Sequence, residues 1–225
     1  MELQPLDLPP IGGLLALAEA RLRRQRGYAR PLAGRPAAAR RLEQALADAR
    51  ALVATARPAA CWRRVDATPL GPAHVAIAQH RLHAPHLSQA AASGHHVCLW
   101  LCTLGPLGGP PPGARPPSPT EAMAGEATAP DPLGHHVAQD LAHQTLHAAT
   151  RAAHAALVAA LPGWQVRRVS LRRPGERLWD AEAVLDLLPL LGPRPLGVTA
   201  PDGLALSPPH TLLGLCTLRP PEPAG

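Results

Sequence analysis

The chain has 225 residues and a mass of 23.5 kDa, room for one ordinary domain with its own core or at most two small ones. Its hydrophobic fraction of 46%, supplied mostly by alanine and leucine, is that of a globular protein and excludes a disulfide scaffold, a collagen-like repeat and a membrane span. The formal charge of +6 is carried by 22 basic residues that are all arginine, scattered in doublets and accompanied by only four Trp and one Tyr, which argues against a dedicated nucleic-acid face.

The N-terminal stretch Met1-Glu2-Leu3-Gln4-Pro5-Leu6-Asp7 has acids and prolines where a signal peptide needs a basic segment and an apolar core, so a cytoplasmic chain is expected. Its four cysteines are then reduced thiols. Helical periodicity begins at Gly13 and runs to Arg26, with Leu14, Leu15, Leu17, Ala18 and Leu22 on one face, and Gly27-Tyr28 stops it. A second helix fits Pro36 to Ala56 through Leu42, Ala45, Leu46, Ala49, Leu52 and Val53, opened by one proline and closed by Pro58. From Cys61 the pattern changes to short extended segments, Trp62 to Val65 and His74 to Ala78, followed by a short helix from His86 to Ser93.

Val97-Cys98-Leu99-Trp100-Leu101-Cys102-Thr103-Leu104-Gly105 is the strongest strand, apolar throughout and therefore expected to be central and buried on both faces. Residues 105–132, with Gly108-Gly109-Pro110-Pro111-Pro112-Gly113 and Pro116-Pro117-Ser118-Pro119, form a flexible insertion that can join neither a helix nor a central strand. A long helix follows from Leu133 to Leu161, with Leu141, Ala148, Ala152, Ala156 and Leu157 on its packing face, and Pro162-Gly163 ends it. Gln165 to Leu171 alternates as a strand, and Ala181 to Leu191 has helical spacing. Gly197-Val198-Thr199, Leu204-Ala205-Leu206 and Leu212 to Cys216 read as terminal strands around Pro201-Asp202-Gly203. Helices and strands without regular alternation predict an α+β fold: a single domain, core about 14–218, with a twisted, mostly antiparallel sheet flanked by helices.

His136, Asp140, His143, His147 and His154 fall on one side of the long helix, and the i, i+4 spacing of His143 and His147 can seat a zinc ion. The glutamate of an H-E-x-x-H helix is replaced here by Gln144, so these side chains read first as a polar surface and no metal site is assigned. Cys98 and Cys102 stand four apart in an apolar run where thiols are inert, and no nucleophile elbow or phosphate-binding loop is present.

The C-terminal third is more specific. Arg172-Arg173-Pro174-Gly175-Glu176-Arg177-Leu178-Trp179 follows a strand and precedes a helix, and after it come Gly197-Val198-Thr199 and Ser207-Pro208-Pro209-His210-Thr211-Leu212-Leu213-Gly214. This order resembles the reactivation (S-adenosylmethionine-binding) domain of cobalamin-dependent methionine synthase, especially its small stand-alone relatives, whose pattern runs R-x-S-P-G-Y-x-x-W, a helix, G-V-x-L-T-x-S and S-P-x-K-S-V-S-G. Gly27-Tyr28 is similar to the family's Y-x-G-Y segment, and Cys102-Thr103-Leu104-Gly105 to its A-T-L-G strand end.

The resemblance covers most of the chain. It implies an accessory protein that docks on a cobalamin-binding methionine synthase module and presents S-adenosylmethionine for reductive reactivation of the partner's cobalamin. The residues it points to for that cofactor are Arg172, Arg173, Pro174, Gly175, Glu176, Cys216 and Thr217. Two of the family's positions differ: Leu171 replaces the arginine that engages the methyl donor, and Glu176 replaces a tyrosine near the corrin. Arg172 or Arg173 can take over the carboxylate contact, since a guanidinium reaches bidentately. The alternative is a divergent binding or interaction protein that keeps the fold without the methyl-donor site.

Overall fold

The computed structural model describes residues 2–25, 28, 35–108, 131–168, 185–201 and 205–221. They form an α+β fold with antiparallel sheets, and no helix among them is long and apolar enough to cross a membrane. Two compact units are distinguished along the chain: Met1–Pro9, Pro58–Gly105 and Ala149–Gly225 make a sheet unit, and Pro10–Arg57 with Pro106–Ala148 make a helical unit.

The sheet unit holds eight described strands: β1 Gln4–Leu6, β2 Ala59–Val65, β3 Ala67–Pro69, β4 His74–Ile77, β5 His80–His83, β6 His96–Thr103, β7 Gln165–Arg168 and β8 Thr211–Arg219. Five of them form a sheet in the order β1-β2-β6-β8-β7, and β3-β4-β5 form a separate three-stranded sheet; every pairing is antiparallel. β6 takes the middle place because its apolar residues suit both faces. Its odd positions Val97, Leu99 and Leu101, with Leu213 and Leu215 of β8, join a core containing Val75, Ile77, Leu82, Leu87, Leu187, Leu191 and Val198. The register sets Cys98, Trp100 and Cys102 on the opposite face with Ala60, Trp62 and Arg64 of β2.

Gly214 is paired with Trp100 across β6 and β8. A Cβ at Gly214 would lie 2.4 Å from Cζ2 of the Trp100 ring, so only glycine lets the indole rest over β8. A short helix, Pro85–Ala92 (α3), follows β5, and the Ser88 hydroxyl donates to the Gly71 carbonyl at 2.5 Å.

The helical unit contains α1 Ile11–Leu22, α2 Pro36–Val53 and the part of α4, Pro132–Ala160, up to Ala148. α1 buries Leu14, Leu15, Ala18 and Leu22, and α2 buries Ala45, Leu46, Ala49 and Val53. Leu17 and Leu52, expected on these faces, are 61% and 38% exposed; each sits off the buried stripe, which a broad apolar pattern cannot delimit. Glu19, 9% exposed, joins the two helices: it accepts from Arg23 Nε at 3.0 Å and from Arg50 Nε at 2.9 Å. Arg23 also makes a fork to both Glu43 oxygens at 3.0 Å.

Several expected boundaries change. Helix α1 ends at Leu22 and α2 at Val53, each shorter than the periodicity predicts because the final turns tighten into i+3 bonds, such as Gln25 N–H to the Leu22 carbonyl. The helix expected through Leu191 is, in its last described turn, a 3-10 segment, Leu188–Leu191, which carries Pro189 and closes at Gly192. Gly197-Val198-Thr199 is not a strand: Pro195–Gly197 is a 3-10 turn, and one antiparallel bridge joins Thr199 to Ser207. Strands β1, β3 and β5 are not legible in the sequence: β1 and β3 are three residues long and each holds a proline, and β5 is mostly polar, His80-Arg81-Leu82-His83. The expected insertion lies mostly outside the described residues, as do the Ala181 start of the helix and Leu204.

Two outcomes test this packing. Leu99→Ala or Leu101→Ala should lower the free energy of unfolding by ~2–5 kcal/mol, the range for emptying a fully buried leucine site, measured by urea denaturation. Losses under ~1 kcal/mol at both would remove β6 from the core.

Glu19 is held below its ordinary value of 4.5, first by the Arg50 hydrogen bond, against the opposing effect of burial. Its contribution is therefore present above the ordinary carboxylate value and is lost as pH falls through the lowered one. Glu19→Gln should destabilise by about 1–2 kcal/mol at neutral pH, held down by the exposure of both arginines. The gap to the wild type should narrow as pH falls below the ordinary carboxylate range and the Glu19 carboxyl protonates, and a gap that does not change on acidification would refute the charge assignment.

Candidate functional site

A groove of about 420 Å³ opens in the sheet unit, within the ~300–1,000 Å³ of small-molecule sites. Its apolar floor includes Leu188 and Val198, and its polar groups come from Gln79, His80, Asp186 and Thr199. Each is placed by a local feature. Gln79 and His80 follow Ile77 through the two-residue turn of the β4–β5 hairpin, in which Ile77 pairs with His80. Thr199 is fixed by reciprocal backbone bonds to Ser207 of 2.9 and 2.8 Å.

Two non-glycine residues beside the groove are in the left-handed region: Ala78 at φ 51° and Leu196 at φ 54°. Such backbones cost about 1–3 kcal/mol each and persist only where surrounding structure holds them. At Ala78 the hairpin forces it, and at Leu196 the compact Pro195–Gly197 turn does. One wall is tied to the sheet by Arg63, whose Nη1 donates to the Leu190 carbonyl at 2.8 Å.

His80 Nδ1 lies 3.9 Å from Asp186 Oδ2, too far for a hydrogen bond, so the two act as separate polar groups rather than as a dyad. No serine, cysteine or lysine lines the groove among the described residues. The described lining offers a ligand an apolar floor, hydrogen-bonding groups at Gln79, His80 and Thr199, and the Asp186 carboxylate.

Among the residues the sequence pointed to, Arg172, Arg173, Pro174, Gly175 and Glu176 lie outside the described residues. The chain that carries them returns to the described part at Leu185, which lines the groove. Cys216 and Thr217 are successive positions of β8, so their side chains point to opposite faces, and neither lines the groove. The register pairs Cys216 with Cys98 on one side and Arg168 on the other, and Thr217 with Val97 and Arg167, so their backbones belong to the sheet ladder.

All four cysteines are free and buried. Hydrogen bonding with Cys216, then burial, pushes the Cys98 thiol far up, and burial pushes the Cys61 thiol up to about 12. Neither is a thiolate nucleophile at neutral pH. Cys216 borders a small, mostly apolar cavity with Trp100, His154 and Leu157.

The structure does bring together two motif segments that lie about a hundred residues apart. Leu104 N–H donates to the His210 carbonyl at 3.0 Å, and the Thr103 and Thr211 hydroxyls are 2.8 Å apart. Thr211 donates to the Pro208 carbonyl at 2.7 Å, which leaves Thr103 as the donor between the two hydroxyls, while Gly105 N–H donates to Thr103 at 3.0 Å. In the helical unit, Tyr28 donates to Asp140 Oδ2 at 2.9 Å, and burial followed by that contact raises the phenol above its ordinary range.

The histidine row of α4 divides. His136 lies 3.5 Å from Asp140, His143 and His147 approach to 2.9 Å, and His154 instead borders the small cavity. The groove and its strained flanks were missed by sequence reading, since neither Ala78 nor Leu196 is a residue type that signals a left-handed turn.

Arg63→Met should loosen the wall it holds, with a loss of about 1.5–3 kcal/mol for a charged donor to a carbonyl. Faster amide hydrogen exchange over 188–192, with β6 unchanged, is the expected readout; equal exchange in both proteins would show that the wall stands without it. No protein-family model and no curated protein matches this sequence.

Proposed function

We propose that the protein is an accessory of cobalamin-dependent methionine synthesis that presents S-adenosylmethionine to a cobalamin-binding partner module in the cytoplasm, for reductive reactivation of the partner's cofactor. The observation that carries this reading is a groove of small-molecule size whose lining resumes at Leu185, six residues after the Arg172-to-Trp179 motif ends. A presenting site needs shape and charge and no reactive side chain, because the bond chemistry belongs to the cobalt. The joining of Thr103 to Thr211 and of Thr199 to Ser207 also supports it, since these pairs tie the segments in which the resemblance was found.

The described residues fit such a ligand in kind. The apolar floor suits an adenosyl group, Gln79 and Thr199 can hydrogen-bond to its polar edges, and the Asp186 carboxylate can face a sulfonium or an amine. The ligand's carboxylate needs a cation, and Arg172 or Arg173 supplies it in this reading. The second reading, a binding protein without a methyl donor, is favoured by Leu171 and Glu176 and by the commitment of the Cys216 and Thr217 backbones to the sheet.

Titration calorimetry with S-adenosylmethionine separates the two. Under the first reading the wild type binds, and Arg172→Ala with Arg173→Ala weakens binding at least ~10-fold, the equivalent of one charge-assisted contact. Glu176→Tyr should leave affinity intact or improve it. A wild type that shows no binding, with none restored by Leu171→Arg plus Glu176→Tyr, would overturn the methyl-donor reading. Binding gained only in that double variant would establish the second.

A further inference from the structure

On the exposed side of α4, His143 Nε2 and His147 Nε2 are 2.9 Å apart, with the ring planes at 89°. One helical turn separates the two residues, so the backbone sets this convergence and a ligand need not create it. Metal–imidazole bonds of ~2.0–2.1 Å place two nitrogens about 2.9 Å apart at a right angle and about 3.3 Å apart at the tetrahedral angle. The observed 2.9 Å is the length of the imidazole–imidazole hydrogen bond and lets small ring rotations reach either arrangement, so the order of metals follows from intrinsic affinity, in which imidazole nitrogens favour copper(II) over zinc(II).

Among the described residues, further ligands from the chain are not at hand. Asp140, one turn before His143, accepts from Tyr28 at 2.9 Å and lies 3.5 Å from His136. No group of three or more His, Cys, Asp or Glu placed for one ion occurs among the described residues.

We propose that His143 and His147 form a two-imidazole surface site for a divalent ion, copper(II) before zinc(II), with the remaining positions open to water or to a donor from another molecule. This site is separate from the groove and independent of the function proposed for it. In the absence of metal, the same two nitrogens share one imidazole–imidazole hydrogen bond, which binding replaces. Each ring must give up any added proton, and binding releases it to solvent.

The test is titration of the full chain with copper(II) alone and with zinc(II) alone, with electron paramagnetic resonance at one equivalent of copper. The expected result is one copper(II) bound in the micromolar range, more tightly than zinc(II), with coupling to two imidazole nitrogens. His143→Ala and His147→Ala should each weaken it at least ~10-fold, since even removal of an outer-sphere partner commonly costs that much. His74→Ala, which alters the cross-strand His74–His83 pair with rings 5.2 Å apart, should change nothing. Circular dichroism of the variants checks that the helix persists. Zinc held more tightly than copper, binding unchanged in both helix variants, or loss of binding on His74→Ala would each overturn the assignment.

Discussion

The sheet unit is organised around one strand that has no free side. β6 is paired along both edges, to β2 and β8, and is covered on both faces, so each side chain from Val97 to Thr103 is selected for volume. The demand is sharpest at Trp100, whose indole lies over β8 and leaves no room for a Cβ at Gly214. Close packing of this kind makes small, weakly polar residues useful, which accounts for cysteine at 61, 98, 102 and 216: each is buried, is outside any disulfide, and packs as a compact side chain. Burial holds the Cys61 thiol protonated, and the hydrogen bond with Cys216, then burial, does the same for Cys98.

The helical unit solves a different problem. Its helices are rich in alanine, which favours helix but buries little area per residue. Polar contacts between elements add the specificity that area does not: Glu19 receives arginines from its own helix and from α2, Arg23 extends the contact to Glu43, and Tyr28 reaches Asp140 across 112 residues of chain. Arginine as the only basic side chain suits such joints, because one guanidinium can serve two carboxylates in fixed geometry.

Where the sheet unit departs from regular structure, it makes a groove. The tight β4–β5 turn and the Pro195–Gly197 turn each hold one side chain in the left-handed region, and the Arg63 bond to Leu190 braces the wall between the sheet and the 3-10 segment. Strain kept in place by surrounding packing is a common property of binding sites, since it defines a surface before the ligand arrives. The described lining of the groove combines an apolar floor with the polar groups of Gln79, His80, Asp186 and Thr199.

The elements legible before folding is considered are those whose signal is long and redundant. The apolar run from Val97, the Ala-rich helix ended by Pro162-Gly163, the helix opened by Pro36 and the α+β class were legible, because periodicity accumulates over many residues and proline and glycine act locally. Leu17 and Leu52 show the limit of that signal: apolar character says which residues can be buried, and neighbouring elements decide which are. Strands β1, β3 and β5 form because partners in the folded sheets stabilise them, since they carry little signal of their own. Likewise, the groove depends on residues from 79–80 and 185–200 meeting, on left-handed turns at Ala78 and Leu196, and on Arg63 reaching a carbonyl 127 residues away. The spacing of His143 and His147 is visible in the sequence, but the close approach of their Nε2 atoms is a property of folded side chains.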